Sequence, residues 1–118
     1  MLLEKVLMVT TKIDFKSLAT EIAKRLEPQV HLQKVVLFGS YASGNTHEWS
    51  DIDFALISND FAKMSHSRRI AFLVTKLKGI DSRIEVLTYS LDEYEIASHL
   101  TFLGEIKRTG QVIYEAAD

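Results

Sequence analysis

Two apolar runs separated by a glycine turn constrain this chain more than any other feature. Val35-Val36-Leu37-Phe38 contains no polar residue and ends on Gly39-Ser40. A short continuous apolar run closed by a turn signal reads as a buried strand. The second run, Asp51-Ile52-Asp53-Phe54-Ala55-Leu56-Ile57, alternates instead. Strand geometry puts Asp51, Asp53, Ala55 and Ile57 on one face and Ile52, Phe54 and Leu56 on the other, against helices. Two such strands need further elements to cover them, which excludes a helical bundle or a disordered chain.

The flanking sequence supplies those elements. Phe15, Leu18, Ala19, Ile22 and Leu26 recur at helical spacing behind Asp14, a good N-cap, and Pro28 should end that helix by disfavouring helical geometry at Glu27. A second helix is expected over about Ser67 to Lys78, with Ile70, Leu73, Val74 and Leu77 inward and Gly79 as its stop. Arg83 to Tyr89 alternates as a third strand. Ser90-Leu91-Asp92-Glu93 has the spacing of a capping box, so a helix starts there. Another helical piece spans about Leu100 to Thr109, and Val112-Ile113-Tyr114 fits a short edge strand. Met1 to Thr10 reads equally as helix or strand. The order predicts an α/β sandwich of modest size. With 118 residues, no repeat and no Gly/Ser-rich linker, a single domain over 1–118 is expected.

Composition narrows the chemistry. The absence of cysteine excludes a disulfide scaffold, a zinc ribbon and a thiol nucleophile. The four histidines His31, His47, His66 and His99 have no partners three or four residues apart, so a histidine metal site is not expected. Fourteen basic and sixteen acidic residues give a net charge of −2, which provides no electrostatic case for direct nucleic-acid or membrane binding. No apolar run has the length of a membrane span, and Met1-Leu2-Leu3-Glu4-Lys5 lacks the basic start of a signal peptide. A cytoplasmic location is the expectation.

The residues that carry chemistry lie around the glycine turn. A strand ending in Gly39-Ser40 and entering a short helix gathers backbone N–H groups and a hydroxyl at one point, a nest suited to phosphate oxygens. Asp51 and Asp53, two apart on a strand, project from the same face and repel unless a cation lies between them. A hard divalent cation such as Mg²⁺ accepts carboxylate and phosphate oxygens together. Glu85 can add a third carboxylate if its strand neighbours the second and its face matches. A phosphate cradle beside an acidic metal site is the equipment of phosphoryl or nucleotidyl transfer.

Gly39-Ser40, ten residues, then Asp51-x-Asp53 resembles the signature of the DNA-polymerase-beta-like nucleotidyltransferase superfamily. The longer string Leu37-Phe38-Gly39-Ser40-Tyr41-Ala42-Ser43-Gly44 with Ser50-Asp51-Ile52-Asp53 is similar to the minimal nucleotidyltransferases, the MNT proteins. Average composition puts the bare four-residue pattern at on the order of once per thousand chains of this length. The resemblance runs from about Val35 to Tyr89 and, more weakly, through Glu105-Ile106-Lys107-Arg108 to Tyr114. It implies a polymerase-beta-like fold, a small mixed sheet with helices packed on it. It also implies two Mg²⁺ ions on Asp51, Asp53 and Glu85, the catalytic carboxylates, and an ATP or other NTP whose phosphates meet Gly39 and Ser40. The family most often has Asp at the third position; here Glu85, before Val86-Leu87, matches, and Asp81 is the other candidate. Such proteins commonly act as antitoxins that transfer AMP to a tyrosine of a helical HEPN toxin. The rival readings are a non-catalytic nucleotide-binding module of the same fold and an aminoglycoside-type nucleotidyltransferase, the latter disfavoured by length.

Other polar and aromatic residues have plainer readings. Ser50 caps its loop or approaches the metal site, and Trp49 anchors that loop or stacks on a base. Arg68 and Arg69 are solvated helix residues or reach a triphosphate. Tyr41 packs beneath the short helix or lines the site. Leu100, Phe102 and Leu103 either contact a partner or close the core.

Overall fold

The computed structural model describes residues 13–46 and 50–117. The expectations for Met1 to Thr10, His47 and Trp49 fall outside those residues. Helix α1, Phe15–Leu26, begins where expected: the Asp14 side chain accepts the Ser17 N–H at 3.0 Å. It ends at Leu26 because Glu27, preceding proline, is extended. Ala19, Ile22 and Leu26 are fully buried on its inner stripe.

Strand β1 is Lys34–Phe38, and the short helix α2, Ser40–Ser43, follows it directly. Strand β2, Ile52–Ile57, runs antiparallel to β1 with Phe38 opposite Asp53. A 3-10 turn over Asn59–Lys63 leads into helix α3, His66–Lys76, and then strand β3, Ile84–Tyr89, which lies parallel to β2. Parallel neighbours need such a helical crossover. The capping box at Ser90 and Glu93 starts helix α4, Leu91–Ile96. Thr101 caps helix α5, Phe102–Thr109, and strand β4, Gln111–Glu115, returns antiparallel on the free side of β1. The four-stranded mixed sheet has the order β3-β2-β1-β4, with a bulge where β4 passes Val35 and Val36. An ion pair between Lys34 and Glu115 closes that end.

Helices cover both faces, but unequally. Ile52, Phe54 and Leu56 pack with α1, Leu73 of α3, Val30, Leu32 and Phe61 in the larger core. Full burial of a side chain such as Phe54 stabilises the fold by about 2–3 kcal/mol relative to exposure. On the opposite face Val36, Ala55 and Ile57 pack against Tyr94 of α4 and Leu103 and Ile106 of α5. That second cover reaches Ala55 and stops before Asp53.

Three expectations need correction. Helix α3 starts at His66 and ends at Lys76, and it does not turn Ile70 and Val74 inward; they are 50% and 69% exposed. The stripe that packs is Leu73 with Phe72 and Leu77, because the sheet ends at β3 and, among the described residues, nothing beyond that strand covers the flank carrying Ile70 and Val74. The last helical piece begins at Phe102 rather than Leu100. Of the three apolar residues there, Leu103 closes the core, whereas Leu100 and Phe102 are 84% and 61% exposed.

Candidate nucleotide and metal site

The site forms where β1 and β2 expose their chemistry beyond the edge of the α4–α5 cover. Gly39 has φ +73°, a conformation that L side chains rarely adopt, and it is the N-cap residue of α2. Its carbonyl accepts the N–H groups of Ala42 and Ser43, both at 3.1 Å. The first N–H groups of a helix have no acceptor within it, so those of Ser40 and Tyr41 lie at the start of the turn without an intrahelical partner. Gly44, left-handed at φ 84°, closes the turn by donating to the Ser40 carbonyl at 2.9 Å. The absence of a side chain at residue 39 has a second cause: a Cβ there would collide with Oδ2 of Asp53. The turn and the acidic strand are therefore fitted to each other.

The carboxylates lie on one face. Asp53 is the register partner of Glu85 across the parallel pair β2–β3, and Asp51, just before β2, is two residues from Asp53. Neighbouring strands stand about 4.8 Å apart, so opposite side chains on the same face are in reach of one another. Asp51 and Glu85 are exposed and Asp53 is half-buried. Burial first, then the charges of Glu85 and Asp51, push the Asp53 carboxyl above the ordinary carboxylate value. Among the described residues none of the three forms an ion pair with a basic side chain. Hard oxygen donors with accumulated, uncompensated negative charge fit a divalent cation such as Mg²⁺. Among the described residues no three carboxylate or histidine side chains are drawn together as a closed ligand set.

Asp81, the other candidate, is committed elsewhere. Arg83 donates to it through Nε at 3.0 Å and Nη2 at 2.6 Å, and that pairing holds the Asp81 carboxyl below its usual value. This clamp ahead of β3 was not foreseen. The Asp81-x-Arg83 spacing was its only signal. Arg83 also faces the Tyr41 hydroxyl, and the Tyr41 ring packs edge-on against Phe15 at 5.4 Å between centroids. Tyr41 thus sits beneath α2, joining α1 to the turn. Ser50 is buried. Arg69 is engaged away from the carboxylates. It donates to the carbonyls of Phe61 at 2.6 Å and Met64 at 3.3 Å and to Thr88 Oγ1 at 3.2 Å, on the face opposite Glu85. Arg68 is exposed beside Lys63 and Phe72. Phe38 and Phe102, edge to face at 6.0 Å, form the boundary between the α4–α5 cover and the site.

Solved structures share this architecture. A chain of a toxin–antitoxin complex with AMP-PNP superposes with TM-score 0.58 at 20% identity, covering 86% of this chain and 74% of that one. A Sulfolobus solfataricus protein assigned as a nucleotidyltransferase gives 0.59 at 19%, covering 85% and 76%. A chain of the complex of tri-AMPylated Shewanella oneidensis HEPN toxin with MNT antitoxin gives 0.52 at 18%, covering 86% and 70%. At these identities the likeness establishes the fold. No curated protein sequence matches the chain. The family profile described as "Polymerase beta, Nucleotidyltransferase" matches residues 20–118, a span that holds the glycine turn and all three carboxylates, and the chain belongs to that family.

Proposed function

We propose that this protein transfers a nucleoside monophosphate, AMP from ATP, to a hydroxyl of a protein partner in a Mg²⁺-dependent reaction. The observation that carries the reading is the bare carboxylate face of Asp51, Asp53 and Glu85 beside the Gly39-Ser40 turn. In this reading the acceptor oxygen attacks the α-phosphorus, the bond to the β-phosphate breaks, pyrophosphate leaves with the electron pair, and the acceptor proton is released to solvent. Gly39 and Ser40 hold the β- and γ-phosphates through backbone N–H groups and the hydroxyl. Asp51, Asp53 and Glu85 would hold the metal. When bound, Mg²⁺ lowers the pKa of the acceptor hydroxyl and neutralises charge on the triphosphate. Phe38 and Phe102 wall one side of the site.

The acceptor is a tyrosine of a HEPN-type helical partner, and the protein acts as the antitoxin of the pair. Two structural neighbours described as toxin–antitoxin complexes, one with AMP-PNP and one with an AMPylated HEPN toxin, support this choice. So do the exposed apolar side chains Ile96, Leu100 and Phe102, close together in sequence. An added nucleotide brings bulk and negative charge, which oppose RNA phosphates at the toxin's site. The test is incubation with Mg²⁺, each α-labelled NTP and a co-expressed HEPN partner. A tyrosine adduct of about 329 Da, the mass of AMP added with loss of pyrophosphate, is expected. Its absence despite measurable ATP binding overturns transfer in favour of a non-catalytic nucleotide-binding module.

A further inference from the structure

Strand β3 ends the sheet, and among the described residues no strand pairs with its outer side. The carbonyls of Arg83 and Tyr89 accept from Ile52 and Ser58 of the β2 side, so by alternation the backbone groups of Val86 and Thr88 face outward. Along that edge runs a groove of about 340 Å³, walled by Ile70, Leu73, Val86 and Leu87, with His66 and Arg69 at one end. Ile70, Val74 and Leu87 are 50%, 69% and 39% exposed, an apolar flank with nothing over it among the described residues. An open backbone edge with an apolar side wall is the geometry that accepts an added strand.

Charge selects the occupant. Residues 61–80, which include α3, contain Lys63, Arg68, Arg69, Lys76 and Lys78 and no acidic residue. A second copy pairing at this edge would bring two such basic stretches together, which disfavours self-association. A segment carrying acidic and apolar residues complements both. Position then links the groove to the reaction. Leu87 is two residues from Glu85 on the same strand face, so a segment paired to β3 lies about 4.8 Å from that strand and about twice that from β2. A tyrosine directed to the Glu85 face of such a segment reaches the carboxylates.

We propose that the open edge of β3 with the Ile70–Val74 flank of α3 binds the acceptor as an extended, acidic and apolar protein segment. This deepens the transfer reading above and rests on it. The probe is a synthetic peptide with Val at the positions opposite in face to a central Tyr and Glu at both ends, with a counterpart carrying Lys for each Glu. Fluorescence anisotropy reads binding, and mass spectrometry with ATP and Mg²⁺ reads AMP addition. The acidic peptide should bind more tightly than the basic one. Ile70→Glu and Val74→Glu should weaken it by about tenfold or more, Ile70→Lys by less, and Val112→Glu, on the opposite edge strand, should leave it unchanged. Because all these positions are exposed, the variants keep the fold. Equal binding of the two peptides, or binding indifferent to Ile70→Glu and Val74→Glu, overturns the docking assignment even if AMP is transferred. The expected binding pattern without AMP addition supports the docking surface and counts against transfer instead.

Discussion

Asp53 and Glu85 are register partners across the parallel β2–β3 pair, so two like charges share one sheet face without a basic neighbour paired to either among the described residues. The Asp53 carboxyl is consequently raised, by burial first and by its acidic neighbours second. A carboxyl whose folded value lies above its unfolded 3.8 favours folding below 3.8 and loses that contribution as pH rises through the folded value. Without divalent cation, Asp53→Asn should therefore raise Tm at pH 7 by about 2 °C, and the gap should close below about pH 4. Added Mg²⁺ should stabilise the native protein and not the variant. A Tm series in pH, with and without Mg²⁺, reads both; a destabilised variant at pH 7 would count against this electrostatic picture.

Gly39→Ala should disturb the same pair from the other side. The new Cβ meets the Asp53 carboxylate and the residue must hold φ +73°. A loss of about 1–3 kcal/mol in urea unfolding is expected, together with loss of the Mg²⁺-dependent stabilisation. Retention of both would mean that the turn and the acidic strand are independent.

Asp51→Asn separates chemistry from folding. Asp51 is exposed and makes no ion pair among the described residues, so Tm should stay within about 2 °C of the native value. Pyrophosphate release with ATP and acceptor should fall by about a hundredfold or more. Turnover close to native would remove the metal role.

Arg69→Met should behave in the opposite way. It removes bonds to the Phe61 and Met64 carbonyls and to Thr88, and a guanidinium 5.8 Å from the Phe61 ring centroid. A loss of about 2–4 kcal/mol is expected with pyrophosphate release per folded molecule unchanged. Altered ATP affinity at full folding would return Arg69 to the site.

Gly104→Ala tests the cover over the site's far side. A Cβ on Gly104 would overlap the Ser98 carbonyl and approach the His99 backbone, neither of which is a flexible side chain. Destabilisation of about 2–3 kcal/mol is expected from equilibrium unfolding. A neutral effect would show that the Ser98–His99 segment shifts freely against α5.

The parts of the fold and site legible in the sequence were those governed by local periodicity. The alternation of Asp51 to Ile57, the Asp14 cap and the Ser90–Glu93 capping box each depend on neighbours within a few residues, and each takes its expected form. The Glu85 pairing depended on strand order, which periodicity does not contain, although its odd-numbered face followed from it. Ile70 and Val74 were misplaced because the apolar stripe of α3 is wide, and which flank packs is decided by where the sheet ends. The Asp81–Arg83 clamp joins residues two apart, and only that spacing pointed to it; the close fit of Gly104 on Ser98 rests on how α5 packs against the segment before it.

The cover formed by α4 and α5 rests on Val36, Ala55 and Ile57 and leaves Glu85 exposed and Asp53 half-buried. The molecule is thus three layers deep over that part of the sheet and two layers deep at the carboxylates. A nucleotide seated on the carboxylates would lie where the third layer is missing, as a continuation of the packing rather than an object in a finished cavity. Substrate affinity and resistance to unfolding then draw on the same uncovered area of sheet. The folded state without nucleotide is the incomplete one, and saturation with ligand should slow hydrogen exchange in β2 and β3 more than in β4, the strand furthest from that gap.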